Sequence, residues 1–183
     1  WSLLHGEGGE RWASRGKLSG LPLAWLAVLA GPTLTRSPWS GDLLFDGRWD
    51  LRLGPKLELD ASLSRRSGDL QLQGELAQGQ PTLLAAGVKT AELQVRAQAE
   101  DLRMALRWDS ERAGRAEGHL STRLQGQDRP WHWPESAGLQ GQLQAQLPRL
   151  GLWSAMAPPG WRLRGSLAAQ LQIGGSRAQP LLS

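Results

Sequence analysis

Cysteine, tyrosine and asparagine are absent from all 183 residues. Without cysteine there is no disulfide framework, no thiolate metal site and no cysteine nucleophile. Without asparagine there is no N-glycosylation acceptor, and turns must be made by the 23 glycines, the 11 prolines, aspartate and serine. The aromatic complement is ten tryptophans and a single phenylalanine, and the β-branched residues that usually fill strands are sparse. Long hydrophobic runs are missing as well. The most apolar stretch, Pro22 to Gly31, falls well short of the roughly 20 residues that a membrane span needs.

The same absences explain the charge. A net charge of +4 accompanies a pI of about 10.6, because without Tyr and Cys few groups titrate between histidine and the strong bases. Arginines alternate with leucines and glutamines, and acids are interspersed among them. Nucleic-acid binding, which clusters basic residues with base-stacking aromatics, is not expected. Enzyme signatures are missing too: there is no G-x-S-x-G elbow, no phosphate loop and no H-E-x-x-H, and GEGGER at Gly6–Arg11 lacks the dinucleotide spacing. His5, His119 and His132 are far apart in the chain, so no metal cluster is expected. The reading is a non-enzyme with no catalytic residues, no metal and no cofactor.

What is present is alternation. In Trp161–Gly174, Trp161, Leu163, Gly165, Leu167, Ala169, Leu171 and Ile173 share one parity, while Arg162, Arg164, Ser166, Gln170 and Gln172 share the other. A period of two puts alternate side chains on opposite faces of a sheet, and a strand of that length predicts an element roughly 45 Å long. The same pattern recurs from Trp39 onward. Leu57, Leu59, Ala61 and Leu63 alternate with Glu58, Asp60, Ser62 and Ser64; Leu139, Gly141, Leu143, Ala145 and Leu147 alternate with Gln140, Gln142, Gln144 and Gln146. Turn chemistry at Arg66–Asp69 and Asp109–Ala113 separates the runs. The expectation is an all-β fold: a long, twisted, mostly antiparallel and incompletely closed sheet, a near-continuous meander interrupted by short helices at Pro22–Ala30 and Pro148–Ala157. The first of these could also pass for a signal-peptide core, but strand-like sequence precedes it. Trp131-His132-Trp133, flanked by prolines, is expected to cap a sheet end. A transmembrane barrel would want aromatic girdles and would not put Arg162, Arg164, Glu58 and Asp60 on a lipid-facing parity.

The two helix-bearing stretches look like one unit used twice, Pro22 and Pro148 standing in for one another and Gly41 for Gly165. The chain opens at Trp1 without methionine and reads as residues 1–183 of one elongated domain within a longer protein. Its internal modules are 12–126 and an incomplete second copy, 137–183.

Function then has to reside in the sheet surface. Leucine dominates the apolar parity, with alanine and glycine between. Either this is an ordinary sandwich core, or the leucine face is left partly unsealed and takes up flexible acyl chains, each methylene contributing roughly 0.8 kcal/mol. The candidate lipid-contacting residues are Leu93, Val95, Leu102, Met104, Leu106, Leu120, Leu124, Leu139, Leu143, Leu163, Leu167, Leu171 and Ile173.

The segment Leu147–Gly175, LPRLGLWSAMAPPGWRLRGSLAAQLQIGG, followed by Ala178-Gln179-Pro180, resembles the repeated motif of the TamB family. The shared elements are a short helix, a Pro-Gly break, then R-L-x-G-x-L-x-A-x-L-x-I-x-G and a small residue before proline. Gly87–Leu124 is also similar in its run of strands. The resemblance implies a U-shaped β-groove with a greasy interior, in the manner of AsmA-like bridge-forming lipid transfer proteins. It implies a periplasmic location in a Gram-negative bacterium, with the full-length protein anchored in the inner membrane. Phospholipid, an outer-membrane Omp85-type (TamA-like) partner and nascent outer-membrane proteins are the partners it implies. The family's amino-terminal anchor and carboxy-terminal conserved region have no counterpart in these residues. A scaffold that assists assembly of outer-membrane β-barrels, autotransporters among them, without moving lipid is the alternative function.

Overall fold

The computed structural model describes residues 2–4, 11–25, 40–75, 81–126, 131–156 and 162–183. Within them the strands in chain order are β1 (Ser2–Leu4), β2 (Arg11–Pro22), β3 (Ser40–Gly41), β4 (Leu44–Leu53), β5 (Glu58–Ser67), β6 (Leu70–Glu75), β7 (Pro81–Ala85), β8 (Val88–Gln98), β9 (Asp101–Ser110), β10 (Gly114–Arg123), β11 (Gln140–Leu147), β12 (Leu167–Gly175) and β13 (Pro180–Leu182). Ten of them form one antiparallel sheet in the order β1-β2-β4-β5-β8-β9-β10-β11-β12-β13. β1 and β13 are its two outer strands and do not pair with each other, so the sheet is not closed into a barrel. The all-β, incompletely closed architecture expected from the alternation is the architecture found.

The meander is not continuous, however. β3, β6 and β7 form a separate three-stranded sheet, and the chain leaves the main sheet after β5 and rejoins it at β8. The physical cause is local. Gly68 has φ +81° and passes so close to the Asp42 carbonyl that a Cβ there would collide with it. Next to it, the Asp69 carboxylate accepts the backbone N–H groups of Leu70 (2.8 Å), Gly87 (2.9 Å) and Val88 (3.0 Å). One side chain thus ties the point where the strand departs to the point where it returns.

The longest strand expected from the sequence is shorter than its alternation. β12 starts at Leu167, because Gly165 takes φ +91° and residues 162–166 run outside any strand. Leu163 is held by Ser154, its N–H donating to Ser154 Oγ at 3.0 Å. The sheet is therefore extended across its strands rather than along them. Between β11 and β12 lies a 3-10 helix, Leu150–Met156, within the helix expected at Pro148–Ala157. The start of the other expected helix is visible as residues 23–25, and residues 26–30 lie outside the described part.

Two clusters bury the core, both on the leucine parity of the sheet. At one end of the strands, Leu21, Phe45, Val88 and Ala91 of the main sheet meet Leu70 and Leu72 of the small sheet and Leu152 of the 3-10 helix. At the other end, Leu57, Ala97, Leu102 and Leu124 are covered by Trp131 and Trp133. Trp131 Nε1 donates to the Gly54 carbonyl at 3.2 Å and Trp133 Nε1 to Thr122 Oγ1 at 3.1 Å. The loop expected to cap a sheet end is found capping one.

Candidate functional site

Cross-strand register assembles the leucines into rows. Leu18, Gly47, Leu63, Leu93, Leu106, Gly118, Leu143 and Leu171 are successive partners from β2 to β12. The next row on the same face is Gly16, Trp49, Ala61, Val95, Met104, Leu120, Gly141 and Ile173, and Leu182 of β13 pairs with Ile173. At about 4.8 Å per strand each row runs roughly 34 Å across the sheet, perpendicular to the strands. Glycines in these rows sit beneath large partners: the Trp49 indole lies against Gly16, and Leu143 Cδ1 is 3.0 Å from where a Cβ on Gly118 would stand.

The rows lie between the two covered ends; Leu63, Val95 and Met104 touch the clusters from the side, and among the described residues no other element packs over the middle of the rows. Along β8, on one face of one strand, Ala91 is 8% exposed, Leu93 38% and Ala97 5%. Leu18, Trp49, Leu106 and Leu167 are likewise exposed. Leucine contributes about 1.5–3 kcal/mol on full burial, so a line of half-exposed leucines leaves much of that stabilisation unrealised by the chain alone. Such contiguous apolar surface marks a place of interaction.

The sequence-derived candidates divide accordingly. Leu93, Leu106, Leu143 and Leu171 form the open row; Val95, Met104, Leu120 and Ile173 form the row beside it, with Val95 and Met104 also packed against the tryptophan-capped cluster. Leu167 is exposed near the helix-covered end. Leu102, Leu124 and Leu139 are buried, at 9%, 9% and 8% exposure. Leu163 lies off the sheet beside Ser154. Leu18, Leu63, Trp49 and Leu182 join the open surface through register alone. Alternation placed Trp49 and Leu63 on the apolar parity, but only the order of strands puts them in line with the rows of Leu93 and Val95.

The opposite face is polar and differs between its two halves. From β2 to β10 it carries ion pairs, including Arg15–Asp50 at 2.5 Å, Arg107–Glu117 at 3.1 Å and Arg96–Asp60 at 3.4 Å. On β11 and β12 it is made of Gln140, Gln142, Gln144, Gln146, Gln170 and Gln172 with Ala168. Hollows of about 440–450 Å³ lie on this polar side, around Glu92, Gln94, Arg107 and His119 and around Lys17, Arg48 and Ser62. They are open to solvent and lined by side chains already engaged with one another, Arg48 with Ser62 and Arg107 with Glu117. The leucine rows suit an occupant stretched along them rather than a compact ligand.

No group of three or more His, Asp or Glu side chains among the described residues could hold a metal ion, and no helix among them is long and apolar enough to cross a membrane. Comparison with protein-family models, curated proteins and solved structures gave no match.

Proposed function

We propose that this chain is a TamB-like segment of a bridge-forming protein whose leucine rows hold phospholipid acyl chains between the inner and outer membranes, in the periplasm of a Gram-negative cell. The observation that supports this reading is the row of leucines from Leu18 to Leu171, exposed at Leu18, Leu93 and Leu106 and partly buried at Leu63, Leu143 and Leu171, flanked by buried clusters and, among the described residues, uncovered at both edges of the sheet. A flexible hydrocarbon needs no directional contact, only continuous apolar surface. The rows offer that surface over several strands, whereas a peptide helix would need a groove matched to its side chains. In this reading the full-length protein is anchored in the inner membrane and meets an outer-membrane Omp85-type, TamA-like partner.

Photo-crosslinking amino acids at Leu106 and Leu171, with Gln144 on the polar face as control, test the reading in cells. Phospholipid captured from the first two positions and not from the third is the expected result. Capture of polypeptide alone at all of them sinks it.

One feature favours the scaffold reading instead. Among the described residues β1 pairs with residues 11–13 of β2, and β13 with Ile173–Gly175 of β12, and no described strand lies along the outer edge of β2 from Arg15 onward or of β12 from Leu167 to Leu171, where an added strand could pair. Under this reading crosslinkers at Ala168 and Gln170 capture nascent outer-membrane proteins while Leu106 captures nothing.

A further inference from the structure

Trp108 stands where the open rows meet the cluster beneath the small sheet. Its register partners on either side are Ala91 and Ala116, and it packs against the cluster that holds Phe45, Leu72 and Leu152. Two residues along the strand in one direction is Leu106, 46% exposed; two in the other is Ser110, 5% exposed. Its indole N–H is buried and has no acceptor, and it is the side-chain polar atom of which this is true among the described residues. Other tryptophans are satisfied: Trp49 donates to Ser14 Oγ, Trp131 to Gly54 O, Trp133 to Thr122 Oγ1 and Trp153 to Ala113 O. The nearby Ser110 hydroxyl is committed to the Gly114 carbonyl at 2.8 Å. A buried donor without a partner forfeits its hydration and gains nothing in return, and such orphans in native folds call for an explanation.

We infer that the Trp108 N–H is the donor for the ester carbonyl of an acyl lipid lying along the leucine rows, so that the sheet holds the lipid at a defined point along its length. The inference rests on the acyl-lipid reading above. An acyl chain brings only hydrocarbon, and the acceptor nearest to it is the ester carbonyl, which can accept and cannot donate. A hydrogen bond to this N–H returns more than one to a solvated donor, because the protein side surrenders no water when it forms. With the face empty the N–H is shut off from solvent. The bond therefore forms with an outward turn of the indole, which makes the ring its own reporter.

The test uses the chain labelled with 5-fluorotryptophan, its Trp108 resonance assigned by loss in Trp108→Phe, and titrated with a short-chain diacyl phosphatidylcholine and with the dialkyl ether analogue of equal chain length. In the unsubstituted chain the ester lipid should bind roughly five- to tenfold more tightly than the ether, and only the ester should move the Trp108 resonance strongly. Trp108→Phe should abolish the preference, bringing ester affinity down to the ether level measured in the same variant. Replacement of Trp108 by benzothienylalanine, which keeps the bicyclic shape and lacks the N–H, should do the same, so altered packing in the phenylalanine variant does not decide the outcome. Equal affinities for the two lipids in the unsubstituted chain, or an ester preference that survives both replacements, overturns the inference and leaves the acyl-lipid reading standing. Absence of binding by either lipid overturns both.

Discussion

Ala97 and Leu93 sit four residues apart on the same face of β8, yet one is sealed and the other is 38% exposed. The difference lies in what folds over each. Above Ala97 the loop carrying Trp131 and Trp133 crosses the sheet end, and beyond Ala91 the small sheet and the 3-10 helix do the same. Between them nothing described covers the leucines. A face of uniform sequence character is thus divided by two accessory structures into two cores that hold the fold and a strip that remains available.

The largest effect that sharpens this contrast is expected at Leu72, which is 2% exposed in the small sheet. Leu72→Ala should cost about 2–5 kcal/mol in chemical denaturation, against about 1 kcal/mol or less for Leu106→Ala, whose side chain already meets water. Equal losses at the two sites would mean that the strip is covered in solution. Next comes the tryptophan cap. Trp131→Ala should cost about 2–3 kcal/mol, less than a fully buried aromatic because the indole is only half-buried, and faster hydrogen exchange should be confined to the strand ends around Leu57, Leu102 and Leu124.

A smaller effect concerns Asp69, which fastens the small sheet in place. Burial by itself pushes this carboxyl up, but the N–H groups of Val88, Leu70 and Gly87 and the Arg65 guanidinium outweigh it and hold the group below its ordinary value of 3.8. Its contribution is therefore complete above that ordinary value and lost as pH falls through the lower folded one. Asp69→Ala should cost about 1–3 kcal/mol at neutral pH and flatten the acid limb of a stability profile taken from pH 6 to pH 2. A variant with an unchanged acid limb would remove Asp69 from this role. The smallest effect is expected on the polar face: Arg96→Ala breaks its pair with Asp60, both side chains more than half exposed, and should shift stability by about 0–0.5 kcal/mol. A larger loss there would show that the polar face is covered too.

Much of this was legible from residue order. Alternation placed Leu93, Val95, Ala97 and Leu102, Met104, Leu106 on a common face, and register confirms that they share it. The prolines flanking Trp131 and Trp133 marked a loop at a sheet end. The departures have local causes. Alternation from Trp161 ran on through Gly165, whose left-handed backbone ends the regular geometry and puts Leu163 beside the helix. Leu70 and Leu72 carried the same period of two as every other strand, so nothing in their pattern distinguished membership of the small sheet from membership of the large one.

What the sequence determined by itself is which side of each strand is greasy, because that depends only on the parity of side chains along an extended backbone. Which strands lie side by side depends on pairings between residues distant in the chain, and period-two strands are interchangeable on that score. Tertiary structure settled it through contacts that hardly register in a local pattern: the close approach of Gly68 to Asp42, the three backbone N–H groups gathered by Asp69, and the reach of Trp131 to Gly54. Those contacts folded protein over both ends of the leucine face, and among the described residues nothing folds over its middle.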